Sequence, residues 1–110
     1  MDLRICHAIA QRRLIEFRYN GVLRQVEPHL YGRTSKSGDV ISGWLVDGGN
    51  VDGGNADAGY RSRWRTFVLD DLSDLKILGE HFAAPRDGFN PADPRFAMVY
   101  CRVDYSSESR

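Results

Sequence analysis

The stretch 14-LIEFRYNGVLRQVEPHLYGR-33 decides the fold, because it reads as two strands joined by a tight turn. In its first half apolar and charged residues alternate, which is the period of a half-buried strand. Asn20 and Gly21 then supply two residues that tolerate positive φ, the strongest short hairpin signal. Pro28 has no N–H to give to a ladder, so it marks an edge or a bend of the second strand. The sheet is therefore predicted to begin with an antiparallel hairpin.

One helix is predicted before this hairpin, and four further strands are predicted after it. Apolar residues recur at helical spacing over residues 3–12, with Asp2 placed to cap the helix. Alternating or apolar segments predict the strands, at residues 40–46, 62–72, 74–82 and 96–104. Short strands with tight turns after one helix favour a small, strongly bent antiparallel sheet or barrel. A barrel would also remove the exposed edges of these strands.

The most conspicuous stretch of the chain is a tandem repeat, VDGGNVDGGN, at residues 46–55. A calcium loop needs six to eight converging oxygen ligands, usually on alternate residues. Here Asp47, Asp52 and Asp57 lie five residues apart, so they cannot converge on one ion. Gly, Asn and Asp in this order are typical of a flexible connection. We therefore expect a flexible loop at residues 47–60 and no metal site.

Length and composition indicate one domain with a modest core. The chain has 110 residues, of which 42% are hydrophobic, and no segment is long and apolar enough to cross a membrane. The first residues lack the pattern of a signal peptide. Cys6 and Cys101 are too few for a disulfide framework and too far apart for a metal knuckle, so both are predicted to be reduced thiols in a cytoplasmic protein without cofactor.

Division of the chain follows from composition. Residues 1–83 are expected to form the barrel domain, and residues 84–105 a C-terminal extension, because the stretch 84–95 holds three of the four prolines. The strand at 96–104 would cover the open side of the barrel or pair with a second copy of the chain. Residues 106–110 are expected to fray.

Charge is balanced overall but not locally. Net charge is zero, which excludes a histone-like polycation. Thirteen of the fifteen basic residues are arginines, whose planar fork suits phosphates and stacks on bases. A local basic patch therefore remains possible, although a GC-rich genome would also favour arginine codons.

Four motifs in order resemble the WYL domain family over residues 5–82. They are RRLIEFRYNG, then RQVEPHL, then GWL, then RTFVLDDL. The tripeptide that names the family reads Gly43-Trp44-Leu45 here, and the family's LDRI reads LDDL, with Asp71 in place of an arginine. The resemblance implies a small Sm-like, SH3-type five-stranded antiparallel barrel with an N-terminal helix and, here, an extra C-terminal strand.

The resemblance also implies a function. WYL domains belong to bacterial transcription-related or defence-system regulators and sense single-stranded nucleic acid or a nucleotide. This chain supplies one helix before the barrel, too little for a helix-turn-helix module, so it would be a stand-alone WYL domain. The family's binding surface carries over onto Arg65, with Arg24 and His29 on the VEPH strand.

Residues beside these extend the candidate site. On an extended strand Arg61, Arg63 and Arg65 share one face, as a row of phosphate forks. Aromatic rings interleaved with arginines are typical of single-strand binding, and three are available, at Trp64, Trp44 and Tyr31.

Structural explanations compete with binding for several of these residues. Arg65 has the strand parity of the apolar Phe67, so it could instead form an ion pair with Asp70 or Glu27. Trp44 could be a core residue, and His29 an ordinary surface histidine.

Catalysis has little support, because no nucleophile, metal or phosphate-loop motif occurs and the three histidines are scattered. The chain is predicted not to be an enzyme. The alternative to a nucleic-acid sensor is a protein–protein adaptor or dimerisation domain, forming a homodimer through the apolar strand at 96–103.

Overall fold

The computed structural model describes residues 1–47 and 63–104, and it is mainly β, with one short helix and six strands. In chain order the elements are α1 (Leu3–Ala10), β1 (Arg13–Tyr19), β2 (Val22–Thr34), β3 (Gly38–Asp47), β4 (Trp64–Val68), a 3-10 turn (Leu69–Asp71), β5 (Leu72–His81) and β6 (Phe96–Arg102). The mainly β prediction with an N-terminal helix and a C-terminal strand is confirmed. The predicted loop at 47–60, apart from Asp47, and the tail at 106–110 lie outside the described residues.

Helix α1 is capped as predicted but is shorter. The Asp2 carboxylate accepts a hydrogen bond from the Arg4 backbone N–H at 3.0 Å. The helix ends at Ala10 and not at residue 12, because Arg12 adopts a positive φ of 53°. No helix within the described ranges is long and apolar enough to cross a membrane.

The hairpin between β1 and β2 forms at the predicted place. Asn20 and Gly21 both have positive φ, 52° and 83°, as the central residues of a type I′ turn require. Strand pairing follows directly, with Tyr19 opposite Val22.

Strand β2 organises the sheet because it changes partner halfway. Residues 22–26 pair with β1 and residues 30–34 pair with β6, while β3 runs along the other edge. The register against β3 shifts between Pro28 and Leu30, so the predicted bend at Pro28 is confirmed. Residues 26–32 are all buried, so this part of β2 is covered on both faces.

The strand order is β4-β3-β2-β1-β5, with β6 attached to β2, and all pairings are antiparallel. Within residues 1–47 and 63–104 the end strands β4 and β5 do not pair, so the sheet is not closed. Strand β6 pairs with β2 of its own chain, so it belongs to the same sheet. A homodimer through residues 96–103 stays a prediction.

Two apolar clusters lie on opposite faces of the bent sheet. The main core joins buried residues of α1 and of strands β1 to β4, and includes Ile5, Ile9, Phe17 and Phe67. The Phe17 and Phe67 rings meet edge to face at 5.0 Å. A smaller outer cluster is built from Leu30, Val40 and Phe96, with Phe89 packed beside them. The chain between β5 and β6, residues 82–95, is named the return segment because it comes back over this outer face.

Cys6 of α1 and Cys101 of β6 form a disulfide, with their Cα atoms 5.6 Å apart. The prediction of two reduced thiols is therefore wrong. The sequence gives no sign of this pairing because the two cysteines are 95 positions apart. They meet because α1 and β6 both lie next to β2, where Tyr31 pairs with Cys101. The cytoplasmic prediction rested partly on reduced thiols, which disulfide-forming cysteines do not support.

Candidate functional site

Three adjoining recesses run along the outer face of β4, and together they are named the outer groove. Their volumes are about 450, 270 and 240 Å³, and Arg95 borders all three. One wall is the sheet, with Ser42 of β3 and Thr66 of β4. The opposite wall is the end of the return segment with the start of β6, residues 93–96, and the turn at residues 34–37 closes one end.

The register between β3 and β4 explains why polar side chains line this groove. Ser42 lies opposite Thr66 and Trp44 opposite Trp64, so these side chains share the outer face. Phe67, one residue on, points into the main core. The alternation of β4 thus separates an apolar inner face from a hydroxyl-bearing outer face.

Arg65 has the parity of the core residue Phe67, yet its side chain borders the outer groove. It can do so because β4 is an end strand, beyond which the side chain can turn. Its Nη1 donates to the Trp64 carbonyl oxygen at 2.9 Å, which holds the guanidinium beside the strand. Glu27, one of the two acids considered as a partner of Arg65, forms its ion pair with Arg86.

Charges along the groove favour an anion. Among residues 1–47 and 63–104, the lining contains three cationic side chains, Lys36, Arg65 and Arg95, and one carboxylate, Asp93. Arg95 Nη2 and Asp93 Oδ2 lie 2.6 Å apart. The hydrogen bond from the Arg95 side chain is the main reason why the pKa of Asp93 is lowered. This pairing orients Arg95, and Lys36 and Arg65 are the other described cations of the groove.

An aromatic cluster terminates the groove at the end opposite the 34–37 turn. The Trp64 ring stacks on Phe89, with centroids 6.2 Å apart, and meets the His29 ring edge to face at 4.8 Å. Trp44 packs edge to face against it at 5.7 Å. The Trp64 indole N–H donates to the Asp87 carbonyl oxygen at 2.9 Å. Trp64 is therefore a half-buried ring held in a fixed orientation at the groove.

His29 lies beneath this cluster, fully buried, so it is not available for direct contact with a ligand. Its Nε2 accepts the Arg86 backbone N–H at 3.1 Å, and its Nδ1 lies 2.9 Å from the Glu27 carbonyl oxygen. Since Nε2 accepts, Nδ1 carries the proton and the ring is neutral. Burial lowers the pKa of His29 in the same direction. His29 thus fastens the return segment to β2.

Glu27 and Arg86 form a second fastening beside it. Arg86 Nε and Nη2 donate to the two carboxylate oxygens of Glu27 at 2.8 and 2.9 Å, a bidentate pair. Glu27 is only 4% exposed, and the Arg86 guanidinium lies 5.0 Å from the centre of the Trp44 ring. The hydrogen bonds from Arg86 to Glu27 raise the pKa of Arg86. Trp44 therefore packs beneath Arg86 and does not border the outer groove.

Of the predicted site residues, the structure brings Arg65 and Trp64 together in the outer groove. Arg63 turns back instead, and its Nε donates to the Leu45 carbonyl oxygen at 2.6 Å. Arg61 lies outside the described residues. Of the predicted row of three arginines, Arg65 borders the groove, Arg63 does not, and Arg61 is not described.

Two further predicted residues lie elsewhere. Tyr31 is 1% exposed, and its hydroxyl accepts the Asp2 backbone N–H at 2.7 Å, so it anchors the helix and offers no stacking face. Arg24 lies on β2 opposite Phe17, and its buried Nε has no hydrogen-bond partner among the described residues. Neither residue borders the groove.

Sequence reasoning missed the contributions of Lys36, Arg95 and Phe89, and of Arg86 beneath them. The last three belong to the stretch APRDGFNPADPR, which has no periodicity and was predicted only to be irregular. One signal was present, because Glu27 lies in a strand rich in apolar residues, and a carboxylate buried there needs a cationic partner.

Among residues 1–47 and 63–104 no group of three or more His, Cys, Asp or Glu side chains could hold a metal ion. Comparison with protein-family models, with curated proteins and with solved structures gave no match.

Proposed function

We propose that this chain is a WYL-type regulatory module that binds single-stranded nucleic acid or a nucleotide in the outer groove. The proposal is based on one observation: a single open groove is lined by three cationic side chains, by the hydroxyl groups of Ser42 and Thr66, and by the oriented ring of Trp64. Arg65, the residue best matched to the family motif, is one of those cations.

The chemistry of the groove fits a phosphate-bearing ligand. Arg65 and Lys36 supply charge for phosphates, and the hydroxyls of Ser42 and Thr66 lie between them as neutral donors. Trp64 supplies an aromatic surface at one end, where base stacking is worth about 1–3 kcal/mol per base. No catalytic group is required, so binding would act on a partner or on the assembly of the protein.

Topology supports the Sm-like, SH3-type part of the proposal. The end strands β4 and β5 are joined only by the three-residue turn at Leu69–Asp71. A five-stranded sheet whose two ends are tethered so closely must curl strongly. The Val68 backbone N–H donates to the Tyr19 hydroxyl at 3.1 Å, which draws the end strand β4 toward β1. This curl favours a barrel-like type.

Fluorescence anisotropy with labelled single-stranded DNA and RNA at several salt concentrations tests the proposal. Removing one charged contact by Arg65→Ala should weaken binding about tenfold. The slope of log affinity against log salt should become shallower by about 1.

Arg18→Ala is the matched control. Arg18 is half-exposed and pairs with Asp74 at 3.6 Å on the β1–β5 side of the sheet, away from the groove. It should bind like wild type. Equal losses in both variants, or none in Arg65→Ala, would remove the groove as the site.

A further inference from the structure

The disulfide is continuous with one wall of the outer groove. Phe96 begins β6 and borders the groove, and Cys101 follows five residues later on the same strand. At about 3.3 Å per residue the bridge lies roughly 17 Å along the strand from the groove. Strand β6 therefore connects the bridge mechanically to the groove wall at residues 93–96.

Other interactions hold β6 less firmly than a regular central strand. Its pairing with β2 contains two register shifts, and Phe96 is the one buried residue between Phe96 and Arg102. The Tyr100 hydroxyl donates to Asp39 at 2.8 Å, and beyond the strand Val103 is buried with its N–H bonded to the His29 carbonyl oxygen at 2.8 Å. These contacts keep β6 attached to β2 without the disulfide.

Both cysteines lie at the edge of the main core and are partly exposed. Cys6 and Cys101 are half-buried, and Cys6 lies on a short helix near Leu3, which is exposed. A small thiol reductant can approach a bridge in this position, in contrast to one sealed in a core.

We infer that the Cys6–Cys101 disulfide is a redox latch that sets the affinity of the outer groove. The inference rests on the proposed function, since it concerns the regulation of that same site. In the oxidised protein β6 is tied to α1, and the wall at 93–96 is held in its binding position. A dithiol reductant transfers two electrons and two protons to the bridge, leaving two thiols and its own disulfide, and the wall loosens. The oxidised form binds more tightly.

The experiment compares the full chain in oxidised form and after treatment with dithiothreitol. Anisotropy with a labelled single-stranded oligothymidylate should show affinity lower by roughly fivefold or more after reduction, the range of a typical coupling energy. Amide hydrogen exchange, measured without ligand, should rise at residues 94–102 while α1's partner strands β1 and β2 stay protected. Circular dichroism should show that the reduced protein remains folded.

A Cys6→Ser, Cys101→Ser variant should behave like reduced wild type and ignore the reductant. If that variant does not fold, the comparison of oxidised with reduced wild-type protein still tests the inference. Equal affinity and equal exchange in both states would overturn the inference, and so would unfolding on reduction, which would make the bridge a permanent staple. If neither state binds the oligonucleotide while exchange still changes, the proposed function fails and the redox-dependent mobility of β6 stands.

Discussion

The hairpin of β1 and β2 is part of the sheet and the return segment at 82–95 covers that sheet, and the two are specified in opposite ways. The hairpin is determined by neighbouring residues, through the alternation of apolar and charged side chains and the positive φ of Asn20 and Gly21. The return segment has no period and is fixed by a few long-range polar and aromatic contacts, such as the pair of Glu27 and Arg86, 59 residues apart. The groove lies between β3 and β4 of the sheet and the end of the return segment.

This difference matters because the loss of a buried polar contact and the loss of apolar packing affect stability in different ways. Loss of a methyl group from the core costs a graded amount, whereas loss of one partner of a buried ion pair leaves an uncompensated charge. The return segment should therefore detach abruptly when a fastening is broken. The following predictions test that contrast, from the largest expected effect to the smallest.

Breaking the pair of Glu27 and Arg86 should have the largest effect. Arg86→Met keeps an unbranched side chain next to Trp44 but removes the guanidinium over its ring and leaves the buried Glu27 carboxylate without its ion-pair partner. We expect a loss of about 2–4 kcal/mol in the free energy of unfolding, less than for a fully buried pair because Arg86 is half-exposed. Urea unfolding measures this.

A double-mutant cycle sharpens that test. Glu27→Gln combined with Arg86→Met removes the stranded charge, so the double variant should be more stable than Arg86→Met alone. Arg18→Met, in an exposed pair, should cost no more than about 1 kcal/mol. Equal losses for Arg86→Met and Arg18→Met would show that the return segment does not depend on this fastening.

Close approach of β6 to β2 gives the next prediction. A Cβ on Gly32 would meet the Met98 carbonyl oxygen, which is backbone and cannot turn aside. Gly32→Ala should therefore destabilise the protein by about 1–3 kcal/mol, the usual cost of overpacking, and raise hydrogen exchange in β6.

Gly79 in β5 is the matched control, since nothing lies within 4 Å of its added Cβ. Gly79→Ala should be neutral or slightly stabilising, because alanine restricts the unfolded chain. A Gly32→Ala protein as stable as Gly79→Ala would contradict the docking of β6 on β2.

The smallest of these stability effects is a pH dependence at His29. Burial lowers its pKa, with the charges of Arg86 and Arg12 acting in the same direction and the contacts with Glu27 opposing. The neutral ring is favoured in the folded state, so this stabilisation is complete above the unfolded pKa of about 6.5 and is lost as pH falls toward the lower folded value. The free energy of unfolding should fall by up to about 1.4 kcal/mol per pH unit in that window.

His29→Gln serves as the comparison, since glutamine does not titrate. Its stability should change less with pH between about 6.5 and 5 than that of wild type. Parallel curves for the two proteins would mean that His29 does not link protonation to the return segment.

What the sequence could predict is limited by distance along the chain. Alternation, the Asn20-Gly21 turn and the bend at Pro28 are set by neighbouring residues, and each was predictable. Arg65 was proposed from the resemblance and Trp64 from its place beside it; both border the groove, and their binding of a ligand stays a prediction. The disulfide of Cys6 and Cys101 did not, because it depends on two elements meeting across β2.

Irregular segments explain the rest of what was missed. Arg95 and Arg86 belong to a proline-rich stretch whose course is decided by tertiary contacts alone. His29 and Tyr31 were considered as ligand contacts because strand parity gives the side of the sheet but not what covers it. In this fold the return segment covers His29, and α1 with β6 covers Tyr31.

The most direct test of the account is an NMR titration of the isotopically labelled oxidised protein with a short single-stranded oligonucleotide. Backbone amide shifts should be largest at Ser42, Thr66 and Phe96, which border the groove, and should leave the turn at Asn20 and Gly21 unchanged. Saturable shifts confined to the groove are the predicted result. Shifts centred on the β1–β2 hairpin, or no saturable shifts at low salt, would contradict it.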